Sequence, residues 1–253
     1  MATYKKRGYK PKTSAEVQEF DEQESTTAEV FSTLDEGASR SEEWVSKNQN
    51  VILGIIGVIA IAVLGYLAYV QFVANPREAD AANELFYPQK NFDQALASTT
   101  AKDSLFTVAL NGVDGKYGFL DIISEYSGTK AANLATYAAG VSYLNLNKYQ
   151  ESIDYLEDFS SDDEVLGALA KGGLGDAFVQ LDQLSDALGY YEAAFKHSTN
   201  EFTTPKFLYK AGITALEMED KSKALGYFKR IKTEFPNATD AVSIDALLSI
   251  AKE

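Results

Sequence analysis

His197 is the only histidine in this chain of 253 residues, and cysteine is absent. Nucleophilic, redox and metal chemistry therefore have little to draw on. A thiolate, a disulfide, an iron–sulfur cluster and a cysteine-containing zinc site all need the missing residue, and one imidazole cannot form a multi-histidine cage. His197 lies in Phe195-Lys196-His197-Ser198-Thr199, near an expected helix end where imidazole favours the helix dipole, so a structural role is expected rather than general-base work. The run Asp162-Asp163-Glu164 reads as a solvated helix start, since no Asp-x-Asp-x-Asp-Gly calcium loop accompanies it. Lys171-Gly172-Gly173-Leu174-Gly175 matches a nucleotide loop only loosely and falls inside a helical stretch. These residues predict a protein that is not an enzyme, with no catalytic residue, cofactor, metal or small-molecule substrate.

Charge narrows the partners. The 37 acidic and 23 basic side chains leave a formal net charge of −14, which opposes general affinity for nucleic acid, where Lys and Arg must neutralise phosphates. That charge is unevenly spread. Residues 1–50 hold 7 basic and 10 acidic groups, the next segment holds none, and residues 74–253 hold 16 and 27, for a net −11.

The uncharged segment Val51–Val73, VILGIIGVIAIAVLGYLAYVQFV, runs 23 residues with Gln71 as its one polar amide. At about 1.5 Å per residue it can cross a hydrocarbon core of about 30 Å, and it has no polar stripe of the kind a soluble helix carries. It is read as one transmembrane helix over 51–73. Seven positive residues precede it, while the first 20 residues after it hold only Arg77 and Lys90, so the N-terminus is expected in the cytoplasm and residues 74–253 on the other side. Within the span Gly54, Gly57, Ile61, Gly65 and Ala68 fall within about 80° of one another and predict a stripe packing against a partner helix. Residues 1–50 open on the basic tip KKRGYKPK and continue Ser/Thr/Glu-rich, which predicts a mostly disordered tail. An amphipathic helix over 27–48, through Ala28, Phe31, Leu34, Ala38, Trp44 and Val45, is the ordered exception expected there.

Beyond the span the chain repeats. Gly140, Tyr143, Ser152, Leu156 and Phe159 recur as Gly175, Phe178, Ala187, Tyr191 and Ala194, and again as Gly212, Ala215, Ala224, Phe228 and Ile231. This small–aromatic–small–aromatic pattern, at shifts of 35 and then 37 residues, is that of the tetratricopeptide repeat, a helix–turn–helix unit near 34 residues. The small residues are expected to let helices approach and the aromatics to fill the space between pairs. Units are expected at about 133–167, 168–201 and 205–237, with Pro236 closing the last. A degenerate unit at about 76–109, in which NFDQAL resembles a second-helix phrase, an insert at 110–132 and a capping helix at 238–252 complete an all-α solenoid. The insert should turn on Gly112-Val113-Asp114-Gly115, form a helix from about Tyr117 to Tyr126, and stop at Ser127-Gly128.

In such arrays the first helices line a concave surface. Projection of the repeat places there Leu134, Tyr137, Val141, Leu144 and Asn145, beside Asp176, Val179 and Gln180, with Tyr209 and Ile213 following. A largely apolar groove with a polar edge is expected, suited to a segment with exposed hydrophobic residues.

The layout of short tail, single span and small array, with the stretch GFLDIISEYSGTKAANLATYAAGVSYL, resembles the YfgM family of inner-membrane proteins, in its Bacteroidota form. The resemblance implies an ancillary subunit of the SecYEG translocon, anchored in inner-membrane lipid, whose periplasmic domain contacts emerging unfolded secretory proteins and a PpiD-like membrane-anchored chaperone. The longer N-terminal tail departs from the family pattern. The same array would equally serve a scaffold for another envelope machine, in cell-wall synthesis, Tol–Pal-linked constriction or surface secretion.

Overall fold

The computed structural model describes residues 14–238 and 244–252, with side chains from Glu42 onward. The basic tip from Lys5 to Lys12 and Val242 of the expected cap lie outside the described residues, as do the side chains of Ala28, Phe31, Leu34 and Ala38. The described residues are helical with no β-strand, and the chain divides into two compact units, 1–70 and 71–253.

The first unit is one helix, α1, Ser14–Tyr69. Its apolar part belongs to the one helix among the described residues that is long and apolar enough to cross a membrane, with mean hydropathy 2.7 over 18 residues and none of that window buried. Val58, Ile61 and Leu64 are 68%, 72% and 65% exposed. Apolar side chains facing outward with every backbone hydrogen bond made internally is the condition lipid imposes. Helix at 14–26 departs from the disordered tail that composition predicts. Its Ala, Glu and Gln residues are good helix formers, and growth from an existing helix avoids the nucleation cost.

A π-helical turn at Val70–Ala74 spans the boundary, and the second unit continues through α2 (Asn75–Ala97), α3 (Lys102–Asn111) and α4 (Phe119–Glu125). Three helix pairs follow: α5 (Lys130–Asn145) with α6 (Tyr149–Asp158), α7 (Leu166–Gln180) with α8 (Leu184–His197), and α9 (Thr203–Glu217) with α10 (Lys221–Glu234). A short helix α11, Ile244–Ile250, packs on α10. First helices touch first helices, α5 on α7 and α7 on α9, whereas the backbones of α6, α8 and α10 approach only neighbouring first helices, or in α10's case also α11, and the outer helices meet one another through long side chains. Two layers result, with α6, α8 and α10 outermost.

The repeat offsets correspond to contacts. A Cβ on Gly140 would lie 2.6 Å from Leu156, on Gly175 2.5 Å from Tyr191, and on Gly212 2.3 Å from Phe228, the residue 16 positions later in each case. The glycine is what lets that large side chain lie against the first helix. A second regularity joins the outer helices: Tyr190 donates to Glu157 at 2.7 Å and Tyr227 to Glu192 at 2.6 Å, each tying an outer helix to the preceding one.

All three intra-repeat turns close alike. Asn147, Asp182 and Glu219 each have φ of 60°, and the next residue donates to a carbonyl five positions back: Lys148 to Tyr143 at 2.9 Å, Gln183 to Phe178 at 2.9 Å, Asp220 to Ala215 at 2.8 Å. This is the Schellman closure, which favours glycine or asparagine at the left-handed residue. Glu219→Gly should therefore raise stability by roughly 0.5–1 kcal/mol, read as a higher denaturation midpoint.

Before the repeats, the helix pairing differs from expectation. NFDQAL lies inside α2 and opens no second helix: α2 runs on through Pro88, which is buried with Ala81, Phe92 and Ala95, and its partner is α3. The pair breaks at 98–101, because packing of that buried face keeps α2 intact past a residue that cannot donate. The insert is helical over Phe119–Glu125, after a turn in which Gly112, Asp114 and Gly115 have φ of 71°, 52° and 73°. The SGTKAAN phrase is a helix start. Thr129 Oγ1 accepts from the Ala132 amide at 3.0 Å, while the Glu78 carboxylate of α2 accepts from Lys130 and Ala131 at 2.9 and 3.1 Å. The first amides of α5 are thus paired across the fold.

Candidate partner-binding cleft

Three successive first helices and one inter-helix turn meet at a cleft of about 410 Å³. From α5 and its turn come Leu144 and Asn147, from the start of α6 comes Tyr149, and from α7 come Asp176, Val179 and Gln180. Tyr191 of α8 and Lys210 of α9 complete it. Asp176 and Lys210 lie on successive first helices, 34 residues apart, and the Lys210 ammonium donates to both carboxylate oxygens at 2.5 and 2.6 Å. Tyr191 donates to the same carboxylate at 2.7 Å. Burial, and then the Asp176 charge, push the Tyr191 phenol well above its ordinary value, which keeps it a donor. The Tyr149 hydroxyl lies 2.9 Å from Asn147 Oδ1 and 3.2 Å from Gln180 Oε1, donating its one proton to either, and these groups make the rim polar.

The expected groove residues divide. Leu144, Asp176, Val179 and Gln180 come together in this cleft. Tyr137 instead packs on Phe159, with ring centroids 5.2 Å apart, and burial raises its phenol. Tyr209 lies against Phe228 at 6.4 Å, and Ile213 packs on the same C-terminal core. Val141 is shared between the two other buried clusters, Asn145 donates to the Val141 carbonyl at 2.8 Å, and Leu134 is half-buried on α5. Geometry thus yields a smaller, more polar cleft than a largely apolar groove. Asn147, Tyr149, Tyr191 and Lys210 line it as well and lie outside the expected set. Asp176 and Lys210 occupy different repeat positions, and it is the packing of α9 on α7 that brings these opposite charges together.

On the other side of the first helices, His197 is tied at both nitrogens. Nδ1 lies 3.2 Å from the Lys171 ammonium and Nε2 lies 3.0 Å from the Asp163 carbonyl, an arrangement met by the neutral ring with its proton on Nε2. Asp163 accepts from the Val165 and Leu166 amides at 2.9 and 2.7 Å, and those bonds hold its carboxyl below the usual carboxylate range. Both groups serve the turn between repeats. Among the described residues no group of three or more His, Asp or Glu could hold a metal. Gly54, Gly57, Ile61, Gly65 and Ala68 all lie on α1; Gly57 is half-buried, the others are exposed, and a Cβ on any of the three glycines would meet nothing within 4 Å.

Residues 137–201 and 207–238 match two descriptions of the tetratricopeptide repeat. These helix pairs are tetratricopeptide repeats. No curated protein matches the chain. Tetratricopeptide repeats in general mediate contacts between proteins and are typically non-catalytic scaffolds, so the array is a protein-interaction module, joined in one chain to a helix able to span a membrane.

Proposed function

We propose that the chain is an ancillary, non-enzymatic subunit of the SecYEG translocon, anchored by α1 in the inner membrane, with residues 1–50 cytoplasmic and 74–253 periplasmic. The observation that carries this reading is the cleft, where Leu144 and Val179 lie among the polar groups Asn147, Gln180, Asp176 and Lys210. An extended segment of an emerging secretory protein, or of a PpiD-like chaperone, would set an apolar side chain against Leu144 and Val179 and its backbone against the amide groups. The excess of positive residues before the span supports the orientation, and the net −11 of residues 74–253 would keep a client complex soluble. The small-residue stripe from Gly54 to Ala68 would meet a partner helix.

Purification of the full chain in mild detergent tests this reading. Recovery of SecY, SecE and a PpiD-like chaperone is expected, reduced when Gly57 and Gly65 are both replaced by leucine. Recovery of cell-wall or surface-secretion proteins in their place would transfer the array to another envelope machine.

A further inference from the structure

The outermost helices change charge along the array. α6 carries Glu151, Asp154, Glu157 and Asp158 and no basic residue. α10 carries Lys221, Lys223, Lys229, Arg230 and Lys232 against Glu234 alone. Between them α8 is nearly balanced, with Asp186, Glu192 and Lys196. The reversal occurs at equivalent positions, since shifts of 35 and 37 residues carry Glu151 to Asp186 to Lys223, and Glu157 to Glu192 to Lys229. All of these are exposed except Glu192, which is half-buried. The middle of the outer layer is small: Ser185 and Gly189 are exposed on α8, and a Cβ on Gly189 would meet nothing within 4 Å.

We propose that this outer layer pairs with a second copy of the same chain, running in the opposite sense, so that α6 of each copy faces α10 of the other and α8 meets α8 at the two-fold. A same-sense arrangement would set four carboxylates of α6 against four more. The reversed one matches opposite charges twice over and closes on itself, as an isologous contact must. Each exposed pair is weak and screened by salt, so the association is reversible and falls as ionic strength rises. The contact uses the exposed charged residues of the outer helices, none of which lines the cleft, and it stands independently of which partner the cleft takes.

The chain has no cysteine, so one introduced thiol reports the contact. Full-length Gly189→Cys protein in detergent should form a disulfide-linked dimer on mild oxidation. In that background, Lys223→Glu with Lys229→Glu should lower dimer yield at least about tenfold, and so should Glu151→Lys with Asp158→Lys. Mixing the two charge-reversed proteins should restore the link, and only between unlike chains, which also shows that both have folded. A dimer yield indifferent to charge reversal, or a mixture that stays monomeric, would overturn the proposal. So would a monomeric wild-type chain whose α10 lysines instead bind phosphatidylglycerol vesicles.

Discussion

Gly172→Ala should destabilise the repeat domain by about 3 kcal/mol and lower its melting temperature by roughly 10 °C. The added Cβ would stand 1.9 Å from Cε1 and 2.1 Å from Cζ of Phe207. That ring cannot easily retreat, because Phe207 is 2% exposed and stacked on Tyr191 with centroids 6.4 Å apart. Gly172 on α7 is therefore where the Phe207 ring of α9 in the next repeat lies directly against the helix, and a methyl group there must push two repeats apart. Phe207→Leu in the Gly172→Ala background should regain part of the loss, since a smaller side chain relieves the clash. Gly189→Ala is the control: open space surrounds it, and alanine in an exposed helix should stabilise by roughly 0.5–1 kcal/mol. Thermal unfolding followed by circular dichroism checks all three. A Gly172→Ala protein melting with the wild type would mean the two repeats are not packed this closely.

Asp176→Ala should cost about 2 kcal/mol, since it strands two donors at once. Lys210 loses both of its carboxylate contacts and Tyr191 loses the acceptor for a mostly buried hydroxyl. The pair is about one-third exposed, with side chains 31% and 32% accessible, so water screens it and the figure stays well below that of a fully buried pair. Lys210→Met alone should cost less, and adding it to Asp176→Ala should cost less than the sum, because one ammonium is no longer left unpaired. Denaturant midpoints for the four proteins give the coupling, expected near 1 kcal/mol. Additive losses would show that the ion pair does not join the two repeats.

Much of the fold was legible because it is periodic. The offset of 16 between Gly140 and Leu156, Gly175 and Tyr191, and Gly212 and Phe228 is a contact distance written three times. NFDQAL misled for the converse reason: a second-helix phrase carries its meaning only where a turn precedes it, and α2 continues through Pro88 because Ala81, Phe92 and Ala95 hold its face down. Over residues 14–26 α1 is helical where composition alone predicts disorder, because composition weighs local entropy and ignores a helix already nucleated next door. The cleft was half legible. Projection onto the repeat identifies which residues sit on first helices, but not which of them turn inward, and Tyr137 and Tyr209 found aromatic partners in Phe159 and Phe228. Lys171 to Gly175, tempting as a phosphate loop, proved to be close-packed helix: Cβ atoms on Gly172, Gly173 and Gly175 would meet Phe207, Leu156 and Tyr191.

A photo-crosslinking residue placed at Gln180, on the exposed rim of the cleft, asks what the array holds in the membrane of living cells. The same residue at exposed Lys116, in the glycine turn, is the control. Position 180 should capture secretory chains in transit or a membrane-anchored chaperone, with little captured at position 116. Equal capture at the two positions, or none at 180, would contradict a docking role for the cleft.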